Sequence, residues 1–159
     1  MKSKIFSALF LLSLSNFPLF AFSQSANTNQ IGLRLGGFSG ITFRHVSGNN
    51  VAVEANLTAG YHADWTMISV LGEKHIPLGD DGFVIFLGAG AFLAFDADHY
   101  YEPEPHYYWN HNAGIETVVG LDYYIPKTPL NVGIDVRPRF AVINNPYPWD
   151  AAISFRYIF

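Results

Sequence analysis

The amino-acid sequence predicts an all-β fold, an eight-stranded antiparallel up-and-down barrel that crosses a membrane. Three observations predict it. Apolar and polar residues alternate with a period of two in one segment after another. Clusters of turn-forming residues separate these segments. After the N-terminal segment, no stretch holds the roughly 20 apolar residues that a membrane-spanning helix needs. A membrane protein with these features crosses the bilayer as strands.

The N-terminal segment has the organisation of an export signal. Two lysines precede an apolar run, and Ala21 and Ser23 place small residues at the positions that a signal peptidase reads. The alternative, a retained membrane helix, would place an asparagine and a proline in mid-span, where both are unfavourable. The sequence therefore predicts a cleaved signal peptide over 1–23, followed by a single barrel domain over 24–159.

Composition excludes several classes of function. Without Lys2 and Lys4, seven Lys and Arg face thirteen Asp and Glu, so the mature chain has a net charge of −6. A nucleic-acid partner would require a basic face, and we expect none. The chain contains no cysteine, which excludes a disulfide framework and thiolate chemistry. We also expect no cofactor.

The first three predicted strands carry apolar side chains on one face and polar side chains on the other. The apolar faces are Ile31, Leu33 and Leu35; Ile41 and Phe43; and Val51, Val53, Ala55, Leu57 and Ala59. The polar faces carry Arg34; Thr42 and Arg44; and Glu54, Asn56 and Thr58. In a membrane barrel, the apolar faces contact lipid and the polar faces line the lumen.

The fourth and fifth predicted strands, 65–76 and 83–95, are apolar on both faces. Alternation alone leaves open which side chains of these two strands face the lumen. We assign Gly88, Gly90 and Phe92 to the lumen.

The last three predicted strands return to clear alternation, and the final one has the 9–11 residues of a membrane strand. Their apolar faces include Ile115, Val119 and Leu121; Leu130, Val132, Ile134 and Val136; and Ile153, Phe155, Tyr157 and Phe159. Their polar faces include Glu116 and Asp122; Asp135, Arg137 and Arg139; and Asp150, Ser154 and Arg156. Pro138 removes a backbone donor in mid-strand and predicts a bulge.

Short and long links alternate along the chain. Compact turn chemistry is found at 47–50, 77–82 and 126–129, and the remaining links are 37–39, 61–64, 96–112 and 144–148. With both chain ends in the periplasm, the compact turns are periplasmic and the longest loop is extracellular, as in this class of barrel.

A soluble sandwich or lipocalin-like barrel would show the same alternation with its faces inverted. The charges fit a narrow lumen, because five arginines and five carboxylates share the predicted polar face. These are Arg34, Arg44, Arg137, Arg139, Arg156, Glu54, Glu116, Asp122, Asp135 and Asp150. Aromatic residues near the predicted strand ends suit interfacial girdles, which together with the signal peptide favours the membrane.

Several segments resemble the small outer-membrane β-barrel proteins of the OmpA/OmpX architectural type. They are Gly32-Leu33-Arg34-Leu35-Gly36, Ser39-Gly40-Ile41-Thr42, Gly120-Leu121-Asp122-Tyr123, Ile134-Asp135-Val136-Arg137-Pro138 and Phe155-Arg156-Tyr157-Ile158-Phe159. The resemblance covers essentially the whole mature chain and implies the fold, export to the outer membrane and recognition of the terminal aromatic by the barrel-assembly machinery. Such barrels include anchors, adhesins, narrow channels and lipid-modifying enzymes, so the resemblance implies no single activity.

The predicted lumen residues allow two interpretations. Eight strands leave an interior just wide enough for side chains to fill, so arginine–carboxylate pairs would plug it and hold the barrel rigid. The alternative is a narrow ion path lined by the arginines. We favour the plug.

One constellation, His45-Val46-Ser47, resembles a catalytic motif, since outer-membrane lipid A deacylases combine an eight-stranded barrel with His-x-Ser and a glutamate. His45 and Ser47 share an outward face at a predicted periplasmic turn, whereas lipid A occupies the outer leaflet. Glu54 faces the lumen by parity. A triad needs its three members in contact, so we expect no catalysis.

The 96–112 loop is the most unusual stretch, with three histidines, four acids and five aromatic residues. Its histidine spacing does not match a zinc motif, and we expect no metal. Aromatic rings offer contact area at low entropic cost, so they suit either surface recognition or anchoring at the membrane interface. The candidate recognition residues are Tyr100, Tyr101, Tyr107, Tyr108 and Trp109.

The sequence thus predicts an outer-membrane barrel with a closed lumen, acting as a structural or surface-interaction protein. A narrow passive channel is the alternative, and a lipid A-modifying enzyme ranks third. The expected partners are outer-membrane lipid, the barrel-assembly machinery during biogenesis and an unidentified extracellular ligand.

Overall fold

The computed structural model describes residues 27–60, 65–79, 81–97, 109–142 and 148–159, and the predicted signal peptide lies outside these residues. They form a closed antiparallel barrel in which each strand pairs with the next and the last with the first. The strands are β1 (Thr28–Gly36), β2 (Phe38–Ser47), β3 (Val51–Gly60), β4 (Trp65–Leu78), β5 (Phe83–Ala97), β6 (Trp109–Tyr124), β7 (Leu130–Ala141) and β8 (Trp149–Ile158). The predicted fold class and number of strands are confirmed.

The barrel closes between its first and last strands. The β1–β8 ladder runs from Gln30 opposite Ile158 to Gly36 opposite Ala152. Below it, Asn29 and Phe159 exchange two backbone hydrogen bonds, of 2.9 and 2.8 Å. Closure pairs the strands that would otherwise form the open edges of the sheet.

The three compact links lie at the end of the barrel where β1 begins and β8 ends, which we call the turn end. The opposite end is the loop end. Backbone conformations with positive φ make two of the turns tight: Asn50 at 57° in the first, and Gly79 and Gly82 at 68° and 83° in the second. Lys127, at 63°, has the same role in the third. At the loop end, β1 and β2 are joined by Gly37 alone.

The structure settles the facing of β4 and β5. Leu71, Phe86 and Phe92 are buried in the lumen, at 0%, 0% and 4% exposure, whereas Ile68 and Leu93 point outward. The assignment of Phe92 to the lumen is confirmed, and Gly88 and Gly90 share its parity on β5.

The barrel is apolar outside and polar inside. Leu33, Ile115 and Phe140 are 55%, 58% and 63% exposed, whereas Arg44 and Glu54 are 0% exposed. A water-soluble barrel would show the opposite distribution. The structure therefore favours the membrane interpretation over the soluble sandwich. Among the described residues, no helix is long and apolar enough to cross a membrane.

The prediction of a β-bulge at Pro138 is wrong. Pairing of β6 with β7 lapses beside the proline but resumes in the same register, with Glu116 opposite Arg139 on one side and Val119 opposite Val136 on the other. No residue is inserted, so the missing N–H interrupts the ladder locally without changing its register. The Thr117 hydroxyl donates a 3.2 Å hydrogen bond to the Pro138 carbonyl at this point.

The lumen as candidate functional site

The lumen collects side chains from all eight strands, because every second residue of each strand points inward. Its charged members cluster at two levels, one towards the turn end and one towards the loop end. They comprise five arginines and six carboxylates, each at most 4% exposed: Arg34, Arg44, Arg137, Arg139, Arg156, Glu54, Glu73, Glu116, Asp122, Asp135 and Asp150.

Arg44 organises the turn-end cluster. Its guanidinium reaches three carboxylates: Glu54 Oε2 at 2.6 Å, Asp122 Oδ2 at 2.5 Å and Glu73 Oε2 at 3.0 Å. The same group lies 4.6 Å from the centroid of the Phe86 ring, an arrangement that adds a cation–π contact. Arg44 is thus held from four neighbouring positions in the middle of the lumen.

Arg156, on β8, completes this cluster. It contacts Asp122 Oδ1 at 3.1 Å and Glu54 Oε2 at 3.2 Å, and it donates a hydrogen bond of 3.3 Å to Asn131 Oδ1. Arg44 and Arg156 therefore share two carboxylates, so the four groups form a ring of alternating charge. Glu54 and Asp122 are each fully buried.

Arg137 joins the two clusters. Its Nη2 lies 2.6 Å from Glu54 Oε1 in the turn-end cluster, and its Nε lies 2.9 Å from Asp135 Oδ1 in the loop-end cluster. Its Nη1 is also 3.9 Å from Glu116 Oε2. Loss of this side chain would leave carboxylates of both clusters without one of their cations.

The loop-end cluster is built on Arg34 and Arg139. Arg34 contacts Asp135 at 2.7 Å and Asp150 at 2.5 Å and also donates a hydrogen bond to the Phe38 carbonyl at 2.9 Å. Arg139 contacts Glu116 at 2.8 Å and Asp150 at 3.4 Å. Asp135 and Asp150 each accept from two guanidinium groups, which links the two arginines to the rest of the network.

Apolar side chains complete the filling of the lumen. At the loop end, Phe38, Met67, Phe92 and Ala94 form a buried cluster against which Trp65 and Ala141 pack. Arg139 lies over the Phe38 ring at 4.5 Å. At mid-height, Leu71, Phe86 and Val118 form a second cluster. The charged network is therefore covered on its loop side by an apolar layer.

Two glycines make room for these large side chains. A Cβ atom on Gly133 would collide with the Asp122 carboxylate and approach Arg156 Nη1, and one on Gly120 would collide with the Phe86 ring. The lumen is thus packed so closely that small residues on β6 and β7 are required by large residues elsewhere.

The structure brings all ten charged residues of the predicted polar face together in one connected network. Sequence reasoning missed two further members, Glu73 and His75, both on β4 and both 3% exposed. They were missed because β4 is apolar on both faces over most of its length, so the alternation does not show which of its side chains point inward. The alternation of Glu73 and His75 with the outward Lys74 was the signal that could have found them.

His45, Ser47 and Glu54 are not arranged as a catalytic triad. His45 Nδ1 lies 2.8 Å from Asn29 Oδ1, at the outer rim of the turn end. Glu54 is buried in the lumen and paired with three arginines. The histidine and the glutamate thus belong to opposite faces of the barrel wall.

The structure describes only one of the five predicted recognition residues of the 96–112 loop. Tyr100, Tyr101, Tyr107 and Tyr108 lie outside the described residues, and Trp109 is described only as the first residue of β6. Among the described residues, no group of three or more His, Cys, Asp or Glu could hold a metal ion.

A closed eight-stranded barrel with an apolar outer face and a charged lumen defines a small outer-membrane-type β-barrel of OmpA/OmpX architecture. The structure is similar to the N-terminal β-barrel domain of Pseudomonas aeruginosa OprF, with a TM-score of 0.70 and 12% sequence identity. The similarity covers 84% of this chain and 98% of that chain, and at this identity it shows the fold. No protein-family model and no curated protein sequence matches the chain.

Proposed function

We propose that this protein is a structural or surface-interaction protein of the outer membrane, with a closed lumen and no catalytic activity. The observation that carries the proposal is the burial and ion pairing of the five lumen arginines. Each is at most 3% exposed and each contacts at least two carboxylates. A network of this kind fills the interior and ties strands on opposite walls together.

The network supports the closed barrel over the narrow channel. A conducting pore needs a continuous open path along which water or protein groups solvate the passing ion. Here Arg44, Glu54, Glu116 and Asp122 are 0% exposed, which leaves no water-sized gap beside them. The apolar cluster around Phe38 adds a second barrier at the loop end.

The separation of His45 from Glu54 supports the absence of lipid A hydrolysis. Nucleophilic catalysis needs a base within hydrogen-bond reach of the nucleophile and a third group that orients the base. The group that orients His45 is the side-chain amide of Asn29, not a carboxylate. Glu54 forms salt bridges with arginines on the lumen side of the barrel wall.

The proposed surface interaction rests on the aromatic residues of the predicted 96–112 loop. Tyr100, Tyr101, Tyr107, Tyr108 and Trp109 would contact an extracellular ligand or the outer membrane surface. Outer-membrane lipid would surround the apolar face, and the barrel-assembly machinery would recognise the C-terminal strand during biogenesis.

Conductance in a planar lipid bilayer tests the closed lumen. The refolded protein is first checked for a folded barrel by the mobility difference between boiled and unboiled samples on a gel. We expect no current steps, because the side chains of the barrel fill the lumen at the level of the charged network. Steady sub-nanosiemens openings would overturn the proposal in favour of the channel. Arg137→Gln and Arg139→Gln would then be expected to alter the conductance, with Lys74→Gln on the outer face as the control.

A further inference from the structure

The lysines and arginines outside the lumen lie at the turn end of the barrel. Of the seven Lys and Arg residues that follow the predicted signal peptide, the five arginines are buried in the lumen network. The other two are Lys74, near the turn-end terminus of β4, and Lys127, in the third turn. The loop-end segments 61–64, 98–108 and 143–147 contain neither lysine nor arginine. An anion at the outer surface of the barrel would therefore meet a lysine only at the turn end.

Lys74 lies at the edge of the apolar outer face. In the register of the sheet it stands between Val51 of β3 and Leu87 of β5, and both side chains are about half exposed. Its Nζ extends to the first turn, where it donates a hydrogen bond of 2.8 Å to the Asn49 carbonyl. A lysine so placed keeps its aliphatic stem along apolar surface and its charge at the polar boundary. Because an ammonium has three N–H donors, it can bind an anion as well as this carbonyl.

His45 and Ser47 lie on the same outer face, close to this ammonium in the register. Ser47 pairs with Val51, and Val51 pairs with Lys74, so a single strand separates the serine from the lysine. His45 is half-buried on β2, and its Nδ1 is 2.8 Å from Asn29 Oδ1, which leaves Nε2 for a further hydrogen bond. An imidazole, a hydroxyl and an ammonium thus lie around the outward side chain of Val51. We call His45, Ser47 and Lys74 the polar corner.

We propose that the polar corner binds the phosphate of an anionic phospholipid in the leaflet at the turn end. Lys74 supplies the positive charge, the Ser47 hydroxyl donates a hydrogen bond to a phosphate oxygen, and the His45 ring flanks the headgroup. The site rests on the proposed location in the outer membrane, since it needs a lipid leaflet around the outer face. His45 and Ser47, which resemble part of a catalytic motif in the sequence, would then hold a lipid without hydrolysing it.

The surroundings of the polar corner favour a lipid over a soluble anion. Val51, Val53, Ile76 and Leu87 border it, and each is about half exposed. A free phosphate ion would leave this apolar surface uncovered, whereas the acyl chains of a lipid would cover it while the phosphate meets Lys74. The charge favours an anionic lipid, because one lysine beside an anionic lipid headgroup strengthens binding about fivefold.

Native mass spectrometry of the refolded barrel in detergent, titrated with phosphatidylglycerol, measures this binding. The mobility difference between boiled and unboiled samples first confirms that each variant is folded. Lys74→Gln should weaken binding of the first lipid about fivefold. Lys127→Gln removes the same charge from the third turn and is the matched control, with the wild-type affinity expected. Unchanged affinity of Lys74→Gln, or equal losses in both variants, would overturn the proposal.

Changes at the other members of the polar corner test its geometry. Ser47→Ala and His45→Ala each remove one hydrogen-bonding group and should weaken phosphatidylglycerol binding about threefold. Wild-type affinity in both variants would show that Lys74 acts alone and would overturn the assignment of a site to these three residues.

Two other ligands test the chemistry of the occupant. Phosphatidylcholine has the same phosphate but a cationic group beside it, and we expect it to bind more weakly than phosphatidylglycerol; equal affinities would overturn the assignment to an anionic lipid. Glycerol 3-phosphate has no acyl chains and should not displace the lipid; displacement would show a site for soluble anions instead. Failure of lipid binding would leave the closed lumen intact, because conductance tests the lumen independently.

Discussion

The two faces of the barrel wall are built from alternate residues of the same strands, yet their side chains interact in different ways. On the outer face, Leu33 lies between Ile41 and Phe155 in register, and all three are about half exposed. In the lumen, the next residue along β1, Arg34, is 1% exposed and binds two carboxylates on other strands. Two adjacent residues of one strand thus differ completely: Leu33 has apolar neighbours, and Arg34 is fixed in an ionic network.

The difference shows where the specificity of the structure lies. Apolar side chains on the outer face are interchangeable within limits, because hydrocarbon chains of lipid would cover any of them. Lumen side chains are not, because Arg137 has partners on β3, β6 and β7, and Glu54 has three arginine partners. A buried ion pair adds little net stability over an apolar pair, but removal of one partner is strongly destabilising. The lumen should therefore be far less tolerant of substitution than the outer face.

The largest effect is expected for Arg137→Leu. The substitution leaves Glu54 and Asp135 each short of one cation in a buried site and should lower the free energy of unfolding by about 3–5 kcal/mol. Urea titration in lipid vesicles measures this. Lys74→Leu removes a cation from the outer face and serves as the control, with an expected change of at most about 1 kcal/mol. Equal effects of the two substitutions would contradict the distinction between the faces.

An intermediate loss of stability is expected when a charged side chain is introduced on the outer face. Leu33→Arg places a guanidinium in the apolar band near the middle of β1 and should cost about 2–4 kcal/mol in a bilayer. Leu33→Ala keeps the position apolar and loses only apolar area, so it should cost less, about 1–2 kcal/mol. If Leu33→Arg is tolerated as well as Leu33→Ala in the same vesicles, the outer face does not contact hydrocarbon.

Much of the fold can be predicted from the sequence, because the period of two is strong where one face is charged. Asp122, Arg137 and Arg156 each sit among outward-facing apolar residues, and their inward position follows directly. The ends of β4, β5 and β6 are less predictable. β5 and β6 remain paired from Phe83 opposite Tyr123 to Ala97 opposite Trp109, so both strands extend into the segment predicted as the 96–112 loop.

The pattern of contacts inside the lumen cannot be predicted in the same way. Parity shows that Arg137 and Glu54 both point inward, but their residues are 83 positions apart and on strands that do not pair. Which carboxylate a long arginine side chain reaches depends on register and strand tilt around the whole barrel. The interruption at Pro138 shows a related limit, since a missing N–H can be accommodated either by a bulge or by a gap in the ladder.

Thiol labelling tests the central claim, a lumen filled by its own side chains, most directly. The chain contains no cysteine, so Ser154→Cys introduces a single thiol at a lumen position that is 0% exposed. Gly48→Cys, in the first turn, is the accessible control. We predict that a water-soluble maleimide labels the turn cysteine in the folded barrel and labels the lumen cysteine only after boiling. Rapid labelling of the lumen cysteine in the folded barrel would show a water-filled interior and would contradict the account.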